Sequence, residues 1–246
     1  VEEDLDEVLA RARVDEVGAV VAVSEHLQEA EETLGLAARF AGLVRPAAGL
    51  FPTILDRRQA EELAAWIREH REHLVAIGEV GLDRWKVQDE GERRLQAEIF
   101  GLFIDLALEL DLPLNVHSRA AGRQTIEMLL ERGATRVQLH AFDGRAARAE
   151  PAVEAGYLFS VPPSIVRSPQ KQKLIRRLPL ESLLVETDSP VLGPQAADRN
   201  EPANVRHSVR AIAELKGLSV PQVTTAVTDS TLRLYGTAIL ANGSSS

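Results

Sequence analysis

The sequence predicts an α/β protein built as a (β/α)₈ barrel whose first strand lies outside its 246 residues, and three observations lead to that reading. Apolar runs of strand length recur along the whole chain. Each is followed by a helical pattern, and polar residues gather where the runs end. Repeated βα units with no Pro/Gly/Ser-rich linker fit a closed parallel barrel or an open doubly wound sheet. The polar clustering favours the barrel, because barrel active sites are assembled at the C-terminal ends of the strands.

Taken in order, "VEEDLDEVLARARVDE" at 1–16 is a charged helical pattern and has none of the character of a signal peptide. Strand-like runs follow at 18–25 (GAVVAVSE), 44–52 (VRPAAGLFP), 74–83 (LVAIGEVGLD), 112–119 (LPLNVHSR), 136–143 (RVQLHAFD), 156–164 (GYLFSVPPS) and 182–190 (SLLVETDSP). The clearest helix between them is "LQAEIFGLFIDLALELDLP", whose Leu95, Ile99, Leu102, Phe103, Leu106 and Leu110 share one face. Seven runs make seven strands, one short of a barrel, and the chain opens directly on a helix. The expectation is one barrel domain over 1–240, a truncated start and a disordered tail at 241–246, "ANGSSS". A barrel without its first strand would expose two edges.

At 45% hydrophobic the chain can bury a sizeable core, and no stretch resembles a membrane helix, so a soluble intracellular protein, cytoplasmic or nuclear, is expected. No obligate protein partner is implied. The absence of cysteine excludes disulfides, thiolate zinc sites and a cysteine nucleophile; any metal must be held by His, Asp and Glu. A formal net charge of −9 argues against an extended grip on nucleic acid, though a small site with its own cation and a few arginines is still allowed.

Glu79 lies in the middle of an apolar run, where an unpaired charge would cost several kcal/mol. Either a buried Arg from a neighbouring strand pairs with it, or a cation does. His117, His140 and Asp188 sit at comparable strand ends. Together with Glu79 they make a nitrogen and oxygen donor set for a divalent zinc, manganese or magnesium ion, the imidazoles leaning toward zinc or manganese. Each has an ordinary alternative, a hydrogen-bonded core histidine for His117 and His140 and a turn or helix-cap aspartate for Asp188. Asp188 is also the candidate catalytic group, suited to accept a proton from water. Glu186 alternates to the same side but deeper. Arg119 and Asp83 are the candidate substrate contacts, Arg119 as a phosphate clamp or else a partner of Asp143. His26, His70, His73 and His207 fall in charged helical stretches and are read as solvated. "DRNEPANV" at 198–205 is a loop that could overhang the mouth.

The motifs IGEVGLD, PLNVHSR, LHAFDG, VETDSPVLGP and RNEP resemble those of the TatD family of metal-dependent hydrolases, within the amidohydrolase superfamily, from near residue 4 to about residue 235. The resemblance implies a TIM-like barrel, metal-dependent hydrolysis of DNA phosphodiesters, and Glu79, His117, His140 and Asp188 as metal ligands. It also implies two cations in a complete protein, because the family opens with a strand ending in His-x-His, a pair not found within these residues. A second departure is Phe51 in "GLFP", where the family tends to carry a histidine. Other chemistries that the same donors allow are ester or lactone hydrolysis and, with Phe51 in mind, a degenerate barrel that binds without turnover.

Overall fold

Each of the seven apolar runs forms a strand in the computed structural model, which describes residues 4–240. The expected tail at 241–246 lies outside the described residues. Helix α1 (Leu5–Val14) comes first, followed by β1 (Val20–Ala22), α2 (Leu27–Arg39), β2 (Val44–Ala48) and α3 (Arg57–Glu69). Then come β3 (Ala76–Gly81), α4 (Glu90–Leu110), β4 (Leu114–His117), α5 (Gly122–Glu131), β5 (Val137–Leu139) and α6 (Ala146–Glu154). The chain continues through β6 (Leu158–Val161), α7 (Pro169–Arg177), β7 (Leu183–Val185), α8 (Val205–Lys216) and α9 (Val220–Tyr235). Helix starts are set by short polar side chains: Asp56 accepts from Arg58 and Gln59, Asp89 from Gly91 and Glu92, and Ser219 forms a reciprocal cap with Gln222.

All pairings are parallel, and the strand order follows the sequence from β1 to β7. Among the described residues β7 does not pair with β1, so the sheet curls into an incomplete barrel with a seam between them. Helix α1 packs Leu9 against Leu43 and Val44, and its ends are tied to the segment after β7 by ion pairs. Arg11 reaches Glu201 at 2.7 Å, Arg206 reaches Asp15 at 2.7 Å, and Arg199 reaches Asp4 at 2.5 Å.

Alternation along the strands sorts residues into two sides. One side packs against the helices and carries the main core, including Ile77, Leu114, Val116, Val137, Leu139, Phe159 and Leu183. The other side faces the barrel axis. At its lower end Ala47, Ala76, Leu158 and Leu184 meet Leu234, Tyr235 and Ile239 from the C-terminal segment, which therefore floors the barrel. Buried Arg45 donates from Nε to the Ile239 carbonyl at 2.9 Å and fixes that floor.

The six residues expected to share the buried face of α4 all meet the core, Ile99, Phe103 and Leu106 within it and Leu95, Leu102 and Leu110 packed against it. The covered band is wider than those six, because Gln96, Phe100, Ile104 and Ala107 are buried as well where α4 packs on β3 and on α3 together.

Candidate metal centre

The pairing of β3 with β4 slips at one place. Ile77 lies opposite Leu114 but Val80 lies opposite Val116, so Gly78 and Glu79 together face Asn115. Such a bulge bends the strand and re-aims a side chain, and here it turns Glu79 inward. Two glycines make it possible. A Cβ on Gly78 would lie 2.6 Å from the Asn115 Cβ, and one on Gly81, whose φ is +145°, would lie 2.1 Å from the His117 carbonyl oxygen. The spelling IGEVG is thus the steric condition for bringing Glu79 beside β4.

Inward alternation then stacks the other polar residues above the floor: Asn115 and His117 on β4, Gln138 and His140 from β5, Ser160 on β6, Glu186 after β7. The His117 Nδ1 meets Glu79 Oε1 at 2.5 Å, and its Nε2 meets Asp83 Oδ2 at 3.1 Å. The His140 Nδ1 meets Glu186 Oε2 at 2.6 Å, while its Nε2 looks toward Asp188 Oδ1 at 3.4 Å and Glu79 Oε1 at 4.0 Å. The two rings stack with centroids 6.5 Å apart, and Phe51 meets His117 edge-on at 5.2 Å. Phe51 therefore packs against a site imidazole.

Glu186 is held from three sides: by the His140 ring, by Ser160 Oγ at 2.6 Å and by the Ala141 amide at 3.0 Å. Behind it Gln138 Nε2 donates to Ser160 Oγ at 2.9 Å, and Tyr235 OH donates to Gln138 Oε1 at 2.6 Å. Asp188 stands in a turn with φ of +57°, pinned by Asn200, which is 2% exposed. The Asn200 amide donates to the carbonyls of Thr187 at 2.6 Å and Val191 at 2.7 Å. The RNEP segment is thus a brace for Asp188, with Arg199 and Glu201 carrying two of the ties to α1.

Electrostatics follow from burial and crowding. Burial pushes the Glu79 carboxyl up, but the His117 hydrogen bond and the nearby His140 outweigh it and leave it below its ordinary value. Burial pulls His140 down, yet Glu186, Glu79 and Asp188 together hold it up at about 10. Asp188 is raised to about 6 by burial, against the attraction of His140 and with Glu186 and Glu79 adding repulsion. Lys171, whose Nζ donates to the Ala141 carbonyl at 2.9 Å, is lowered by burial.

Of the residues expected from the sequence, Glu79, His117, His140 and Asp188 come together at the C-terminal mouth. Asp83 is 1% exposed; its other oxygen accepts from the Trp85 and Lys86 amides at 2.9 and 2.8 Å, so it holds His117 and its own turn from beneath the surface. Arg119 is exposed and makes no ion pair with Asp143, whose carboxylate accepts from the Ala120 amide at 3.3 Å; its guanidinium lies 3.9 Å from the Trp85 ring centroid. The other histidines stay apart: His26 caps α2 and His70 stacks on Trp66. Reading the sequence missed Gln138, Ser160, Lys171, Asn200 and Tyr235. The signal available was a polar residue inside an apolar run, Gln138 two positions before His140 and Ser160 one position before Val161.

The donor chemistry fits a divalent cation. Each imidazole turns one nitrogen toward Glu79 and gives the other to a carboxylate, which is how metal-binding histidines are usually oriented. Among the described residues no three donors already surround one point at coordination distance, since Glu79 and His117 contact one another directly. A surface depression lined by His26, Gln28, Glu31, Gln59 and Glu62 includes none of these donors.

A family profile described as TatD related DNase matches residues 1–236. The chain belongs to that family. It is 45% identical to the protein named Deoxyribonuclease TATDN3 of Homo sapiens, over 94% of this chain and 89% of that one. It is 30% identical to the 3'-5' ssDNA/RNA exonuclease TatD of Citrobacter koseri, over 96% and 94%. Among solved structures, a TatD homologue from Escherichia coli K12 superposes with a TM-score of 0.86 at 26% identity, covering 95% of this chain and 92% of that one. No helix among the described residues is long and apolar enough to cross a membrane.

Proposed function

We propose that this TatD-family chain hydrolyses DNA phosphodiester bonds with a divalent cation held by Glu79, His117, His140 and Asp188. The observation that carries the reading is the orientation of the two imidazoles, each presenting one nitrogen toward Glu79 while a buried carboxylate, Asp83 or Glu186, fixes the other. The substrate class is supported by relatives named for deoxyribonuclease and exonuclease activity.

When bound, a divalent cation acidifies water and withdraws charge from a phosphate oxygen, and with two nitrogen donors zinc or manganese suits the site at least as well as magnesium. Glu79 lies between both imidazoles, so its carboxylate would be the donor common to any cation that either ring holds. Asp188 is the most exposed of the four donors, its side chain 26% accessible, and its Oδ1 is the atom suited to take the proton from the attacking water. Arg119, exposed on the rim beyond His117, neutralises charge gathering on the phosphate. Asp83 and Glu186 hold the rings still.

The test is cleavage of a labelled single-stranded oligonucleotide in manganese, zinc or magnesium, with and without chelator. Cleavage should require metal, and Glu79→Gln, which keeps the shape and removes the charge, should lose metal affinity by about 10²-fold or more, beyond the 10–100-fold typical of outer partners. If titration of Glu79→Gln matched the parent chain, the carboxylate would be a structural partner of the histidines and the proposal wrong. Metal binding with no cleavage of any diester would favour the degenerate barrel, and Phe51→His would then be the first reversion to try.

A further inference from the structure

Trp85 is 54% exposed on the turn directly after β3, one of the two tryptophans in a chain that is 4% aromatic. The turn is not a loose loop. Leu82 and Val87 on either side are 3% and 4% exposed, and the Trp85 and Lys86 amides both donate to Asp83 Oδ1. The other oxygen of that same carboxylate meets His117 Nε2 at 3.1 Å. A single side chain therefore ties the tryptophan to the candidate metal centre. The Arg84 amide donates to the Arg119 carbonyl at 3.0 Å, which joins this turn to the exit of β4.

Charge around the ring is as telling as its exposure. The Arg119 guanidinium lies 3.9 Å and the Lys86 Nζ 5.0 Å from the ring centroid. Among the described residues, no carboxylate lies within ion-pair distance of Arg84, Lys86 or Arg119, whereas Arg57, Arg58, Arg68, Arg123 and Arg132 each have one. In a chain of net charge −9, two cations over an exposed indole, with no carboxylate paired to either, are complementary to a phosphate backbone carrying an unstacked base. One face of the indole is backed by Arg119, which makes the remaining surface a firm platform.

We propose that Trp85, backed by Arg119, stacks a nucleobase of an unpaired DNA strand and so sets the strand's position over the metal centre. The proposal rests on the hydrolase reading for the site it serves, but not for the binding itself. A duplex keeps its base faces covered, so the platform selects single strands, and base–aromatic stacking is tolerant of sequence.

The experiment measures anisotropy of a labelled oligothymidylate, of an abasic strand of the same length and of a duplex, all in chelator so that no strand is consumed. Trp85→Ala should bind oligothymidylate about tenfold or more weakly, the amount one stacked base supplies, with the abasic strand and the duplex little changed. Trp85→Phe should keep most of the affinity, and circular dichroism on both variants separates lost stacking from lost folding. An equal loss for oligothymidylate and abasic strand, or no loss for either, overturns the platform. In the parent chain, selective binding of oligothymidylate without metal-dependent cleavage would sink the hydrolase reading and leave the platform standing. Cleavage with an affinity indifferent to Trp85 would do the reverse.

Discussion

His117 is gripped from the end of a single strand, whereas His140 is held by residues drawn from four separate parts of the chain. Both nitrogens of His117 face carboxylates four residues apart in one segment, Glu79 at 2.5 Å and Asp83 at 3.1 Å. His140 leans on Glu186, and behind Glu186 stand Ser160, Gln138 and finally Tyr235, the last contact spanning 97 positions. The geometry of the first arm follows from a local motif, the bulged IGEVGLD segment. That of the second exists only once the strands are side by side and the floor is in place. Damage to the first arm should therefore be abrupt and confined; damage to the second should be graded and arrive from a distance.

The largest effect expected is from Gly81→Ala. Its Cβ would sit 2.1 Å from the His117 carbonyl at a φ of +145°, and the obstacle is backbone that cannot swing away. A loss of about 4 kcal/mol or more, or failure to fold, is expected by denaturant unfolding, since strain and overpacking act together. An unchanged midpoint would mean that the first arm has slack the bulge does not suggest. Next come Asp83→Asn and Glu186→Gln, both same-shaped losses of charge behind an imidazole, expected to weaken zinc binding by about 10–100-fold in calorimetric titration. Glu186→Gln should cost more, because it takes the charge from a 2.6 Å contact to His140, whereas Asp83 meets His117 at 3.1 Å and His117 keeps Glu79 on its other nitrogen. The reverse order would break the comparison. The smallest effect on metal is expected from Tyr235→Phe, which strands the buried Gln138 oxygen: about 1–3 kcal/mol of stability by thermal or urea unfolding, with less than tenfold in metal affinity. A larger shift in affinity than in stability would show that the floor governs the site more tightly than drawn here.

The same contrast explains what could be read in the sequence. The seven strands were legible because runs covered on both faces are apolar throughout, and Glu79 stood out because a charge in such a run demands a partner. His117, His140 and Asp188 could be placed at one mouth from their positions at strand ends. Asp83 shared that position, but the direction of its side chain depends on a register slip that no spacing reveals, and it turned beneath His117 and away from solvent. Ser160 and Gln138 carry no individual signal; each is an ordinary polar residue until alternation in one strand is combined with the neighbour across the sheet. Tyr235 lies at the end of α9, far from Gln138 in the sequence, and only the closing of the floor brings its hydroxyl to Gln138. The face of α4 was legible but proved wider than its stripe, since a helical stripe assumes one partner and α4 has two.

The hydrogen bonds behind His140 also have a direction. Tyr235 donates, so Gln138 must present its oxygen downward and its amide upward; Ser160 then accepts from that amide and spends its single proton on Glu186. Glu186 already accepts from Ser160 and from the Ala141 amide, and the partner it selects on the ring is N–H at Nδ1. When the ring gives up a proton, Glu186 keeps the one on Nδ1, which leaves the lone pair on Nε2, the nitrogen that looks toward Glu79 and Asp188. Which atom of His140 can give electrons is thus decided at the opposite end of the barrel, by a phenol on the last helix.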